Sequence, residues 1–273
     1  MNSTHLSFAS HANAFERSLS LDAVRALAPA AFASSAHERT SAKYTFIPTE
    51  RVLTGLIEAG FVPVEARQTH ARRSSPAHAR HVLRLRRRFE TVQLKGSIPE
   101  VVFLNSHDGS SAYQLRMGLF RVVCTNGLIV SRGAFPAYCV PHRGNVVDEV
   151  VTGALKLSEN FERLAAQVES MEQRRVLKDE QLRFAERALA LRYPDPATCG
   201  MQPAQLLTCR RREDLGNDLW SLTNRVQENV LRGGLSRRSA MGRLSRTRRI
   251  SSIKEDIRLN SGIWDLAMDM LAA

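Results

Sequence analysis

The residues best equipped for chemistry sit in one short loop, Asn105-Ser106-His107-Asp108-Gly109-Ser110-Ser111. An imidazole and a carboxylate stand side by side there, flanked by amide and hydroxyl groups. With Glu100 and His81 they would supply the nitrogen and oxygen donors of a metal-dependent nuclease. The spacing argues against it, because no pair of ligands repeats at a helical interval such as H-E-x-x-H. Asp108 precedes Gly109, where a carboxylate accepts backbone N–H groups of a hairpin turn. Asn105 and Ser106 suit the same work. Cys124 lies in an apolar run, where a thiol is inert. The loop is therefore a candidate polar site comprising Asn105, Ser106, His107 and Asp108. No catalytic residue, metal or cofactor is assigned to it.

The elements that would hold this loop are apolar runs on either side, Glu100–Leu104 and Ala112–Met117, read as two strands of a hairpin. Upstream, Val52, Leu53, Leu56 and Ile57 mark one face of a helix that starts near Thr49 and ends at Gly60. Phe61–Val64 and His81–Arg86 read as further strands. Leu119–Val130 reads as a strand pair hinged at Asn126-Gly127, with a helix over Leu119–Cys124 as the competing pattern. The period then changes. Val150, Ala154, Leu157, Phe161, Leu164, Val168 and Met171 form a heptad seam on one long helix. Such a seam packs inside its own bundle or joins two copies of the chain, so residues 147–171 are a candidate homo-oligomer contact. Helical patterns follow at Asp179–Arg192, Pro203–Cys209, Leu215–Val230 and Ser261–Leu271. The expected class is α+β, with a mainly antiparallel sheet and a packed helix in the N-terminal half and helices in the C-terminal half. The expected divisions are a mobile arm at 1–42, a sheet domain at 43–145 and a helical domain at 146–273.

Charge supplies the functional signal. The chain has 273 residues, 39 Lys+Arg against 27 Asp+Glu, and a formal net charge of +12. An arginine-rich excess favours a polyanion partner, nucleic acid first. Between Arg67 and Arg88 stand eight arginines, among them Arg72 and Arg73, and no acid. Arg84, Arg86 and Arg88 alternate along the strand and so share one face, about 7 Å apart, a step close to that of phosphates on an extended single strand. A second acid-free stretch, 232–249, contains Arg237, Arg238, Arg243, Arg246, Arg248 and Arg249 among Gly and Ser. It reads as a flexible basic loop. Phe89, Phe103, Tyr113 and Phe120 are candidate base-stacking aromatics, with Phe103 and Phe120 better suited to a core. No phosphate-binding loop, zinc finger or helix-turn-helix signature is present. The four cysteines form no C-x-x-C pair and read as reduced, mostly buried thiols. No apolar run is long enough to span a bilayer and the N-terminus lacks a signal-peptide pattern. A cytoplasmic protein without membrane contact is the expectation.

The strings YTFIPTERVLTGLIEAGFVPVEARQTHAR, HVLRLR, PEVVFLNSHDGSSAYQLRMGLFRVVCTNGLIV, FAERALALRY, LLTCRRREDLGNDLWSLTNRVQENVLRGG and LNSGIWDLA occur in this order. In sequence and spacing the chain resembles domain of unknown function 932, a family carried on bacterial plasmids, phages and integrative elements. The resemblance implies work in the DNA metabolism of such elements and supplies no catalytic residues. The order of helix, Gly-Phe, basic strands and hairpin is also similar to phage single-strand annealing proteins of the Erf and Red-beta type. The combined expectation is a non-enzymatic nucleic-acid-binding protein, acting on single-stranded DNA in recombination or maintenance. The alternatives are an inhibitor or adaptor that binds an acidic host protein, and a metal-dependent nuclease.

Overall fold

The computed structural model describes residues 18–41, 44–69, 76–88, 92, 97–121, 127–130, 135, 137–195, 199–238 and 241–273. Arg72, Arg73, Phe89, Cys124 and Asn126 lie outside them. The chain divides into two compact units, residues 1–125 with 135–161 and residues 126–134 with 162–273. The first unit thus keeps the helix that follows residue 145, which the change of period alone assigns to the helical half.

In the first unit, helix α1 (Leu21–Leu27) is capped by the Ser20 hydroxyl and buries Val24. A short 3-10 turn at Pro29–Phe32 follows, with its Ala30 amide donating to Gln68 Oε1 at 2.8 Å. Leu19 donates to the Pro63 carbonyl and His37 to the His107 carbonyl. Residues 18–41 are therefore packed structure, which corrects the expected mobile arm over that range. The small side chains Ala28, Ala30 and Ala31 give this segment an unstructured look in sequence, yet each is fully buried.

Helix α2 (Thr49–Glu58) buries Val52, Leu53 and Leu56, the stripe the spacing indicates. Pro48 occupies the cap position and Thr49 is the first helical residue. Gly60, at φ 91°, turns the chain into the sheet. Strands β1 (Phe61–Gln68), β2 (His81–Arg87), β3 (Ser97–Asn105) and β4 (Tyr113–Arg121) pair antiparallel in chain order. The other edge of β4 receives the short strand Tyr138–Val140. Between them in sequence lies Gly127–Val130, strand β5 of the second unit, so the Tyr138–Val140 strand is β6. All nine positions of β3 are buried, so both faces of the sheet are covered at its centre. Helix α3 (Val146–Ser158) lies beside α2. An added Cβ on Gly55 would sit 2.9 Å from Val147, and one on Gly153 would sit 3.0 Å from Leu115 of β4. Both glycines let helices approach closely.

The proposed seam residues are all buried, at 0–1% exposure. They belong to two helices, α3 and α4 (Phe161–Gln173), separated by a turn at Glu159-Asn160. The single long helix is thereby corrected to two.

The second unit is built round helix α6 (Leu219–Arg232), which is buried on most of its circumference. Asp218 caps it by accepting from the Ser221 amide at 2.8 Å. Helix α5 (Lys178–Arg192), a 3-10 turn at Pro203–Leu207 and the terminal helix α7 (Ile253–Ala272) complete the unit, with Trp264 fully buried in α7. No helix among the described residues is long and apolar enough to cross a membrane.

Candidate functional site

The polar loop belongs to a larger buried network at one end of the sheet. His81 opens β2 and Asn105 closes β3, and the two are register partners. Thr49 opens α2 beneath them. Thr49 Oγ1 lies 3.0 Å from His81 Nε2, 3.0 Å from His107 Nε2 and 2.9 Å from Asn105 Nδ2. His142, two residues past β6, brings Nε2 to 2.9 Å from Asn105 Oδ1 and 3.2 Å from the Ser111 carbonyl. Its ring stacks on Tyr44, with centroids 4.4 Å apart, and packs at a tilt against Tyr113 at 4.3 Å. The Tyr113 hydroxyl donates to the Ile47 carbonyl.

The partners fix where the protons sit. His81 Nδ1 faces the Ala79 carbonyl at 3.0 Å and must donate to it. Its Nε2 then accepts from the Thr49 hydroxyl. The two lone pairs of Thr49 Oγ1 receive Asn105 Nδ2–H and His107 Nε2–H. His107 Nδ1 is left as an acceptor, 3.5 Å from the Tyr44 hydroxyl. His142 meets two oxygens with Nε2 and so donates from it. The Thr49 hub is satisfied only if His81 is neutral, because its Nε2 must accept the hydroxyl proton while its Nδ1–H donates to Ala79.

Electrostatics agrees. Burial pushes His81 down to about 4 and His142 to about 4. Burial, with the neighbouring His81 and His142, pushes His107 down to about 3. The Tyr44 hydroxyl is raised by burial and by the charge of Asp108. Bases this weak carry no proton at neutral pH, so the three imidazoles are neutral members of a hydrogen-bonded network that braces the end of the sheet. Partial burial works against ionised Asp108, but the Ser110 hydroxyl and amide, the Ser106 hydroxyl and the Arg80 charge together hold its carboxyl below the usual range. Its Oδ1 accepts from the Ser110 amide at 2.9 Å, the turn role its place before Gly109 indicates.

Glu100 does not join this network. It projects from the opposite face of the sheet, where its Oε2 takes Arg84 Nε at 2.7 Å and its Oε1 takes Arg86 at 2.6 Å. Arg84 also pairs with Glu65 at 2.5 Å and lies over the Phe120 ring at 3.5 Å. Burial opposes the charge on Arg84, but Glu100 and Glu65 outweigh it and raise its affinity for the proton. Arg84 and Arg86 are 9% and 6% exposed. The expected phosphate ladder is thereby corrected: of its three arginines only Arg88, past the end of β2, is exposed. The nuclease set is likewise separated, with Glu100 on one face and His81 on the other. Among the described residues no three His, Cys, Asp or Glu side chains gather as a metal site. Of the stacking candidates, Phe103, Tyr113 and Phe120 are buried. Cys199 is buried, while Cys139 is exposed and Cys209 half-buried, which corrects the picture of mostly buried thiols for the described cysteines.

The second basic segment keeps its promise of surface charge but changes form. Strands β7 (Ser236–Arg238) and β8 (Leu244–Arg246) pair as an antiparallel ribbon, where a flexible loop was expected. Its base is fastened by Gly234 N–H to the Thr247 carbonyl, Thr247 N–H to the Leu235 carbonyl and Ile250 N–H to the Leu231 carbonyl. Gln205 Nε2 donates to the Ser236 carbonyl at 2.9 Å. Alternation puts Arg238 and Arg246 on one face of the ribbon and Arg237 on the other. Arg237 lies 5.9 Å from the Tyr193 ring, and Arg192 lies 5.3 Å from it. Tyr193 is not among the stacking aromatics expected from the sequence; its signal there is the Arg-Tyr pair closing a helical run. Arg238, Arg243, Arg246, Arg248 and Arg249 are all exposed. Arg246, Arg248 and Arg249 make no ion pair among the described residues.

The family described as Domain of unknown function (DUF932) matches residues 36–264. The "UPF0380 protein YafZ" of Escherichia coli (strain K12) is 38% identical over 261 residues, covering 94% of this chain and 93% of the relative. The "UPF0380 protein YfjQ" of the same organism is 38% identical over the same shares. No solved structure matches.

Proposed function

The chain belongs to the DUF932 family, and from that premise we propose that it is a nucleic-acid-binding protein of a mobile genetic element that grips phosphates through its arginine ribbon. Carriage on mobile DNA is what the family resemblance implies. The observation that carries the binding reading is the ribbon itself. Five exposed arginines stand on or beside one anchored hairpin, with no acid from 232 to 249. Like charges gathered on a fixed scaffold repel one another, and an anionic backbone relieves that repulsion. Because the ribbon is already ordered, binding orders little additional backbone.

Single-stranded DNA is the preferred form in this reading. Splayed bases can reach Tyr193 at the foot of the ribbon, between Arg192 and Arg237. Recombination or maintenance of the element is the corresponding role. The test is fluorescence anisotropy of labelled single- and double-stranded oligonucleotides across a salt series. Tighter binding of the single strand, weakening steeply with salt, supports the proposal. Absence of binding at low salt, with binding to an acidic polypeptide instead, would replace it by the protein-partner alternative.

A further inference from the structure

The ribbon carries apolar side chains where its charge would lead one to expect none. Met241, in the connection between β7 and β8, is 97% exposed, and Leu244, which closes the last pair with Arg238, is 65% exposed. Single exposed apolar residues are ordinary on protein surfaces. Two at the head of one hairpin, among arginines, are a different composition.

The stem beneath them is held firmly. The Arg238 amide donates to the Gly200 carbonyl at 2.8 Å. A Cβ on Gly200 would fall 1.9 Å from the Arg238 carbonyl oxygen, and one on Gly233 would fall 2.6 Å from that of Arg248. Backbone thus packs on backbone at the base, at Gly233 and Arg248, and again at Arg238 in the last pair of the ribbon. Gly242, at φ 77°, supplies a left-handed turn beside Met241. The two basic strands are thus anchored, and an unbranched, pliable thioether stands in the connection between them.

We propose that Met241, supported by Leu244, is a wedge that enters between stacked bases where duplex DNA opens into single strand. The inference rests on the nucleic-acid reading above. Charge complementarity selects the occupant: Arg238 and Arg246, on the same ribbon face as Leu244, would hold the phosphates flanking the step that the apolar residues unstack. Apolar side chains inserted at base steps act in this way, at an unstacking cost that phosphate contacts offset. A protein partner would be met by the same apolar residues without any change in base stacking.

The test uses a duplex with a single-stranded tail and 2-aminopurine at the junction, whose fluorescence rises when it unstacks. Anisotropy of a distal label reports binding in the same samples. Saturating wild-type protein is expected to raise the 2-aminopurine signal several-fold. At saturation, Met241→Ser is expected to leave it near the level of free DNA, and Met241→Leu to preserve the rise. Arg238→Ala is expected to shift the concentration needed for saturation without changing the plateau. Saturated anisotropy with no fluorescence rise would overturn the wedge alone, as would an unchanged plateau for Met241→Ser. No anisotropy change with wild-type protein would overturn the nucleic-acid reading together with it.

Discussion

The backbone of Arg238 rests directly on Gly200: its amide donates to the Gly200 carbonyl at 2.8 Å, and its own carbonyl oxygen occupies the space a Cβ at Gly200 would need. Gly200 also sits at φ 62°, which L side chains rarely adopt. Gly200→Ala is therefore expected to displace the ribbon and to lower stability by about 1–3 kcal/mol through overpacking and backbone strain. Anisotropy should show weakened DNA binding although no charge has changed. Wild-type affinity in this variant would mean that the anchoring of the ribbon is irrelevant to binding.

The Thr49 hub makes a prediction about stability. Thr49→Val removes one hydroxyl and leaves His81 Nε2, His107 Nε2–H and Asn105 Nδ2–H without their common partner. Each buried group left unsatisfied costs about 1–3 kcal/mol. Urea denaturation should show a large drop for Thr49→Val and a small one for Thr49→Ser, which keeps the hydroxyl. Equal midpoints for the two variants would contradict the hub.

The same network sets a pH dependence. Folding depresses His81 and His142 to about 4 and His107 to about 3. The unfolded chain, with histidines near 6.5, binds more protons below that pH, so stability falls as pH falls. It should be level above about pH 6.5 and decline continuously toward pH 4. Denaturation midpoints measured at several pH values test this, and His142→Asn should make the decline shallower. A midpoint indifferent to pH across this window would show that the imidazoles are not held neutral.

Glu100 is the counterion of two buried arginines, and its loss would leave both without it. Glu100→Gln should destabilise the protein by on the order of 3–5 kcal/mol. The joint replacement Arg84→Met, Arg86→Met, Glu100→Leu should recover most of that loss, because an apolar trio needs no compensation. Thermal melting distinguishes these outcomes. If the triple variant melts with Glu100→Gln, the ion triad contributes more than mutual neutralisation.

Local patterns carried much of the architecture. The apolar stripe of α2, the strand at 81–86, the Asp-Gly turn and the change to helical period after 145 all depend on neighbours in sequence, where alternation and helical spacing are visible. The arginine ladder failed for the opposite reason. Alternation correctly put Arg84 and Arg86 on one face, but whether that face meets water depends on its surroundings in three dimensions, and Glu100 reaches them from another strand. Part of the polar site was legible, since Asn105, His107 and Asp108 share one loop and His81 opens a strand. Thr49, Tyr44 and His142 were not, because they come from distant points of the chain and meet only in the folded unit. A usable signal was present at His142 and Thr49: polar residues stand at or next to the ends of elements that border the loop. The ribbon escapes pattern reading because three-residue strands rich in arginine carry no hydrophobic alternation.

Salt dependence in two multiple variants tests most directly whether the ribbon is the phosphate grip. One variant replaces the ribbon residues Arg238, Arg246, Arg248 and Arg249 by Ala, and the other carries the Arg84→Met, Arg86→Met, Glu100→Leu replacement. Affinity for a labelled single strand is measured across a salt series. The ribbon variant is expected to lose affinity, and its log–log salt slope to flatten by roughly 0.7 per phosphate contact removed. The strand variant, whose replaced arginines are buried, is expected to keep wild-type affinity and slope. An unchanged slope in the ribbon variant, or a flattened one in the strand variant, would contradict a phosphate grip centred on the ribbon.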